Sequence, residues 1–229
     1  MVNAEEIKAD IVLSGADYHH TETLLEPKLR QYSEAYWEKK VFAPSSLLFY
    51  VGFDKKLKNV EHHTLFFDVS FEAHAKEIYD TPAWPKDPLF YASFPSKTDI
   101  EAAPYGQEAG IFLIPLAPGL EDTPELRAEY FEKIMTRFEN LTQQKVKNNV
   151  IFKESFCIND FVEAYNSYKG NAYGLANTLL QTAFLRPKLK SKKVAGLYFT
   201  GQLSVPGPGV PPSLISGKLV SSLIQKEIA

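Results

Sequence analysis

The stretch with the most chemical potential is residues 197–223, LYFTGQLSVPGPGVPPSLISGKLVSSL. Its first four residues read as a short strand that runs into Gly201 and Gln202. A loop with Pro206, Gly207, Pro208 and Gly209 comes next, and a helix opens near Val210, Pro211 and Pro212. Glycines let a backbone pass close to a ligand, because they carry no Cβ and accept positive φ. A helix start presents N–H groups with no intrahelical partner, together with the positive end of the macrodipole. An anionic or electron-rich group suits such a junction. Pro211 and Pro212 have no N–H, so Val210 and Ser213 are the expected donors. Ser213, Ser216 and Gly217 give the helix a face of small residues that a flat ligand or a sheet can approach. On residue types alone, the same string also reads as a Gly/Pro-rich structural turn.

Other chemistry-bearing residues carry weaker signals. His62 and His63 are adjacent, and adjacent strand residues point to opposite faces, so they read as surface histidines rather than a metal pair. His19 and His20 read the same way, and no metal site is expected. Ser213 and Ser216 lack the G-x-S-x-G context of a hydrolase nucleophile. Cys157 is the single cysteine, so it reads as a small buried apolar residue. Arg186, Lys188, Lys190, Lys192 and Lys193 form a basic run, read as a solvated loop. Contact with an anionic membrane surface is the sharper alternative, at about 1 kcal/mol per charge.

The elements that must position these residues follow from periodicity. Residues 9–13 read as a buried strand entering a turn at residues 14–17, and residues 18–40 lean helical. Strands are expected at 45–52, 64–68, 89–94, 110–116, 150–157 and 197–200. Pro115 suggests an edge position or a bulge for its strand. Helices are expected at 71–79, 158–168 and 212–226. The clearest helix starts at Thr123-Pro124, a favoured N-cap and first residue. Its apolar stripe is Leu126, Tyr130, Ile134, Phe138 and Leu141. The chain thus reads as α/β (α+β), with a mixed or antiparallel sheet and helices in its middle and a strand and a strand–loop–helix at its ends.

Composition sets wide bounds. The 229 residues carry a formal net charge of −3, with 45% hydrophobic and 23% charged residues. That suits a globular chain and gives a nucleic-acid partner no support. The first ten residues are polar, without the apolar core of a signal peptide. The apolar run at 111–116 is far short of the about 20 residues a transmembrane helix needs. Sixteen Phe and 12 Tyr could cover a large flat apolar ligand, although cores use such residues equally.

The string at 197–220 resembles the C-terminal flavin signature of the bacterial-type phytoene and carotenoid desaturases. Pro206-Gly207-Pro208-Gly209-Val210-Pro211 matches the family's PGxGxP core. Residues 9–17, 44–46, 95–99, 165–174 and 181–187 also resemble family landmarks. The resemblance implies an FAD-dependent oxidoreductase that desaturates a carotene such as phytoene by hydride transfer to flavin. It implies that Gly201 and Gln202 lie near the ribityl-pyrophosphate. Gly209, Val210 and Pro211 would lie at the flavin ring, whose N1/C2=O edge is the electron-rich group, and Pro208 and Ser213 are also expected to bind the cofactor. Many members of the wider superfamily carry Glu where this chain has Gln202. No catalytic residue is assigned.

The G-x-G-x-x-G turn that binds the ADP half of FAD is absent from the sequence. The chain is therefore expected to be the C-terminal half of a longer protein, inactive and unable to hold FAD alone. Residues 1–17 would be a partial FAD-domain strand, 18–177 a substrate-binding domain for an apolar polyene, and 178–229 the C-terminal FAD-binding segment. The expected partners are the missing N-terminal half, a membrane surface and a second copy of the chain. The expected location is cytoplasmic, peripheral on the membrane. The alternatives are a flavin-dependent carotenoid isomerase, oxidase or saturase, or a non-catalytic apolar-ligand module.

Overall fold

The computed structural model describes residues 6–228, so residues 1–5 of the expected first segment and Ala229 lie outside the described residues. In chain order the elements are β1 (Val12–Ser14), α1 (Tyr18–Thr23), α2 (Glu34–Glu38), β2 (Ser45–Phe53), β3 (His63–Phe66), α3 (Phe71–Tyr79) and β4 (Phe90–Ser93). They continue with β5 (Glu108–Leu116), α4 (Pro124–Thr142), β6 (Val150–Phe156), α5 (Ile158–Tyr165), β7 (Leu197–Phe199) and α6 (Val210–Ile228). Parallel and antiparallel pairings both occur, so the class is mixed α/β.

Helix starts are set locally by short polar side chains. Asp17, Ser33, Ser70 and Thr123 each accept a hydrogen bond from a first-turn N–H of α1, α2, α3 and α4. Pro124 occupies the first position of α4, where its missing N–H costs nothing.

The chain forms two compact units. One contains Pro44–Val162 and Lys169–Asn171. The other takes in the described residues up to Ala43, Glu163–Tyr168 and those from Ala172 onward. These divisions differ from boundaries at 17/18 and 177/178. Residues 18–43 join the unit of β1 and β7 because Tyr18, Trp37 and Phe42 pack in one core with Leu197, Phe199 and Leu203.

The Pro44–Val162 unit is built on a five-stranded sheet of order β3-β4-β5-β2-β6 with antiparallel pairings. Leu47, Phe49, Val51, Phe112, Ile114 and Phe138 form part of its buried core. Helix α4 covers this face, with Phe131 edge-on to Phe49 and Phe138 edge-on to Phe112. The buried stripe of α4 runs through Tyr130, Phe131, Ile134, Met135, Phe138 and Thr142, whereas Leu141 is exposed. Cys157 is fully buried, and burial pushes its thiol up to about 12.

Strand β5 is interior to the sheet, not the edge that Pro115 suggests. The physical reason is the register. β4 pairs only with Ile111, Phe112 and Leu113, so at Pro115 no strand stands on that side. The Pro115 carbonyl bonds His74 Nε2 at 2.9 Å instead. The missing N–H thus faces a place where no ladder partner exists.

The other unit holds a two-stranded parallel sheet, β1 with β7. Its core stacks Tyr18 on Phe199, with ring centroids 3.8 Å apart.

Candidate functional site

Strand β7 delivers the chain to Gly201, and a hydroxyl cluster fixes the turn beyond it. Ser216, fully buried in α6, accepts from Gly201 N at 3.1 Å and contacts Thr200 Oγ1 at 3.0 Å and Ser204 Oγ at 2.9 Å. Ser204 turns the loop by donating its N–H and its hydroxyl to the Gly201 carbonyl, at 3.1 and 2.9 Å. The strand end and the helix are thereby held together by small side chains, which permits the close approach.

The loop backbone then takes conformations that suit glycine. Gly201, Gly207 and Gly209 have φ of +107°, +144° and +110°, and the Val205–Pro206 bond is cis. At Gly207 a Cβ would lie 3.1 Å from Asn177 Oδ1 and 3.2 Å from Arg186 Nη2. At Gly209 it would meet nothing nearer than Pro212 Cδ at 3.4 Å. Gly207 is thus the tight position and Gly209 the roomier one.

Of the two expected donors at the start of α6, Ser213 is committed: its N–H donates to the Gly209 carbonyl at 3.0 Å. Val210 heads the helix, with Pro211 and Pro212 behind it. Its N–H, in the first turn of the helix, has no intrahelical partner. Pro208 lies between the two glycines, partly exposed, and Pro211 is exposed. The Gln202 carbonyl accepts from Arg186 Nη1 at 3.3 Å. Gly174 makes room for it, since a Cβ there would sit 2.9 Å from the Gln202 oxygen.

Arg186 departs from the solvated-loop reading. Lys188, Lys192 and Lys193 are exposed, but Arg186 is 1% exposed. Its Nη2 donates to Leu175 O at 2.8 Å and to Asn177 Oδ1 at 2.7 Å. Burial pulls its pKa down, yet a guanidinium stays charged in a protein. Sequence reasoning missed the buried role of Arg186, its partner Asn177 and the anchoring role of Ser216. One available signal was the lone arginine among four lysines, since Arg offers five donors in a fixed fork and suits a ring of acceptors.

The second candidate surface is the other face of the five-stranded sheet. Register puts Leu48, Tyr50, Tyr91, Ile111, Leu113 and Phe156 on it. A solvated sheet face normally alternates to polar residues. This one is mainly apolar and open, although Glu154 stands opposite Tyr50 and Ser93 opposite Ile111: Tyr50 is 38% exposed, against 1% for neighbouring Phe49. His63 sits on the same face, its Nδ1 2.6 Å from Tyr91 OH. His62 Nδ1 lies 2.6 Å from Thr98 Oγ1. Among the described residues no group of three or more His, Cys, Asp or Glu could hold a metal.

No family model matches the chain. It is 42% identical over 229 residues to the carotenoid 3,4-desaturase of Haloarcula japonica, covering 100% of this chain and 46% of that protein. It is 29% identical over 225 residues to the zeta-carotene-forming phytoene desaturase of Myxococcus xanthus, covering 95% of this chain and 42% of that protein. Its fold is similar to that of an oxidoreductase from Methanosarcina mazei, with a TM-score of 0.53 at 15% identity over 97% of this chain and 44% of the other. The chain spans less than half the length of these relatives. Along its whole length it is similar to carotenoid and phytoene desaturases, matching somewhat under half of each such polypeptide.

Proposed function

We propose that this chain is the substrate-binding and flavin-facing part of an FAD-dependent carotene desaturase. The observation that carries the substrate class is the open apolar sheet face of Tyr50, Ile111 and Leu113. A long polyene has no polar group to recognise, so a broad aliphatic and aromatic floor is the chemistry that fits it. The names of the relatives supply the reaction, carotene desaturation.

The strand–loop–helix fits a flavin. A Cβ on Gly207 would be crowded by Asn177 and Arg186, Val210 N–H has no intrahelical partner, and a buried guanidinium lies against the loop. In this reading Gly201 and Gln202 lie toward the ribityl-pyrophosphate, and Pro208, Gly209, Val210, Pro211 and Ser213 line the ring. When bound, the flavin supplies hydride acceptance. The chain's own residues position and exclude water: Val210 N–H orients the ring, Ser216 and Ser204 hold the loop, and the sheet floor aligns the polyene. Residues 178–229 with β1 form the flavin-side segment, and β2 to β6 form the substrate floor. The ADP-binding turn comes from the remaining half of the protein.

Among the described residues no helix is long and apolar enough to cross a membrane. Loading a carotene from a bilayer calls for peripheral contact. The basic run supports such a surface, because it lines a cavity of about 960 Å³ together with Phe184, Val205 and Leu223.

The test is the protein that contains this chain together with its nucleotide-binding half, assayed with phytoene and a more desaturated carotene in liposomes. Stoichiometric FAD and polyene turnover are expected. A colourless protein without turnover would overturn the reading. The 229-residue chain purified alone is expected to lack stoichiometric flavin absorbance.

A further inference from the structure

Arg186 buries a full positive charge among partners that carry none. Its hydrogen bonds go to the carbonyls of Leu175 and Gln202 and to the amide oxygen of Asn177. No carboxylate among the described residues pairs with it. The nearby Tyr36 hydroxyl is pushed up by burial and so stays neutral. Arg186 Nε is buried without a partner. Carbonyl dipoles offset part of the cost of burying a cation, but a counter-ion is what normally completes the compensation.

The position of this charge is specific. Nη2 would be 3.2 Å from a Cβ on Gly207, so the guanidinium lies against the loop backbone three residues before Val210. Helix α6 begins at Val210 and carries two prolines in its first turn. Two sources of positive potential with different origins therefore converge on one loop: a buried guanidinium and a helix start. Such a field favours a group at the loop when that group is anionic over the same group when neutral.

We infer that Arg186 is a charge-compensating, positioning residue for a ligand that becomes anionic at the Gly207–Val210 loop. The inference rests on the flavin reading above, in which that ligand is an isoalloxazine that gains negative charge at its N1/C2=O edge on reduction. Arg186 does not touch the ring. It acts across Gly207, making the loop bind the reduced ring more tightly than the oxidised one. By linkage, that preference is the same quantity as a raised reduction potential.

Asn177 supplies a discriminating variant. Asn177→Asp keeps the acceptor at 2.7 Å from Nη2 and adds the missing counter-ion. A role limited to clamping carbonyls predicts a fold at least as stable and an unchanged potential. The field role predicts a stable fold and a lower potential. The experiment uses the flavin-loaded protein, this chain with the polypeptide that supplies the nucleotide-binding half. It measures flavin content, thermal melting and the flavin midpoint potential by dye equilibration. Asn177→Asp and Arg186→Gln are expected to retain flavin but lose about tenfold in the ratio of reduced to oxidised affinity. Arg186→Lys, which keeps the charge, is expected to stay near wild type. If Asn177→Asp melts normally, carries flavin and keeps the wild-type potential, Arg186 is a clamp only and the inference falls, whatever becomes of Arg186→Gln. A wild-type protein without flavin would overturn the flavin reading itself, so the two failures are told apart by flavin content.

Discussion

The two sheets of this chain are finished to different degrees. The five-stranded sheet closes one face with its own helix, and Leu47, Phe49, Phe112 and Ile114 are buried there beneath α4. The two-stranded sheet has a fully buried strand in β7, but its partner β1 leaves Val12 and Leu13 half in water. A parallel pair is rarely stable without further strands and helical cover on both faces. Helix α6 sharpens the contrast. It buries Ser216 and Val220 and exposes Leu214, Ile215 and Leu219. The first sheet therefore carries its own folding energy, and the second presents apolar surface that suits additional protein.

The sharpest break of this comparison lies in the five-stranded core. Phe112→Ala should cost about 3–5 kcal/mol in chemical denaturation, because it opens a cavity against Phe94 and Phe138. Tyr50→Ala, on the open face of the adjacent strand, should cost under about 1 kcal/mol. Equal costs would mean that the open face is structural core.

In the two-stranded unit, the loop glycines come next. Gly207→Ala should cost about 1–3 kcal/mol in thermal melts, from a strained φ and tight contacts with Arg186 and Asn177. Gly209→Ala should cost less, since only Pro212 lies nearby. On the proposed function, in a protein that joins this chain to a nucleotide-binding half, activity should run in the opposite order: Gly209→Leu is expected to abolish turnover and a change at Gly207 to be milder. A Gly209→Leu enzyme with full flavin and turnover would reduce the loop to a structural turn.

A smaller effect comes from His74, which joins α3 to the five-stranded sheet. Leu89 N donates to His74 Nδ1 at 3.0 Å, and Nε2 donates to Pro115 O at 2.9 Å, so the ring is neutral. Burial lowers its pKa, and Glu77 and Arg137 are the charged groups that face it. The unfolded chain therefore takes up the proton first as pH falls below about 6.5. Stability contributed by His74 is present above that pH and is lost as pH drops toward the folded pKa. Denaturant unfolding across this range should show the slope, and His74→Gln should flatten it. An unchanged slope would place the titration elsewhere.

The gentlest probe of the contrast leaves both cores alone. Leu214→Glu with Leu219→Glu should change stability by under about 0.5 kcal/mol while reducing self-association in light scattering. A wild-type chain that stays monomeric over a wide concentration range would argue against an apolar surface in need of cover.

Much of the fold was legible because it rests on local rules. Thr123-Pro124 opens α4 as a cap and a first-turn proline must, and alternating apolar residues mark β2 and β5. Helix α6 begins at Val210, two residues before the expected 212, because the prolines lie in the first turn and lose no intrahelical bond there. The match of 206–211 to a family core likewise needed only neighbours in sequence. What was not legible depends on residues far apart in the chain. Pro115 sits in an interior strand because β4 ends short of it, which no local pattern records. Arg186 reads as one more solvated cation until Leu175, Asn177 and Gln202 are brought around it. Residue order sets propensity, capping and chain direction, which act over a few residues. Whether a charge is buried, whether a strand has a neighbour and which N–H stays free are decided only when distant segments exclude water from one another, and that is a property of the tertiary structure alone.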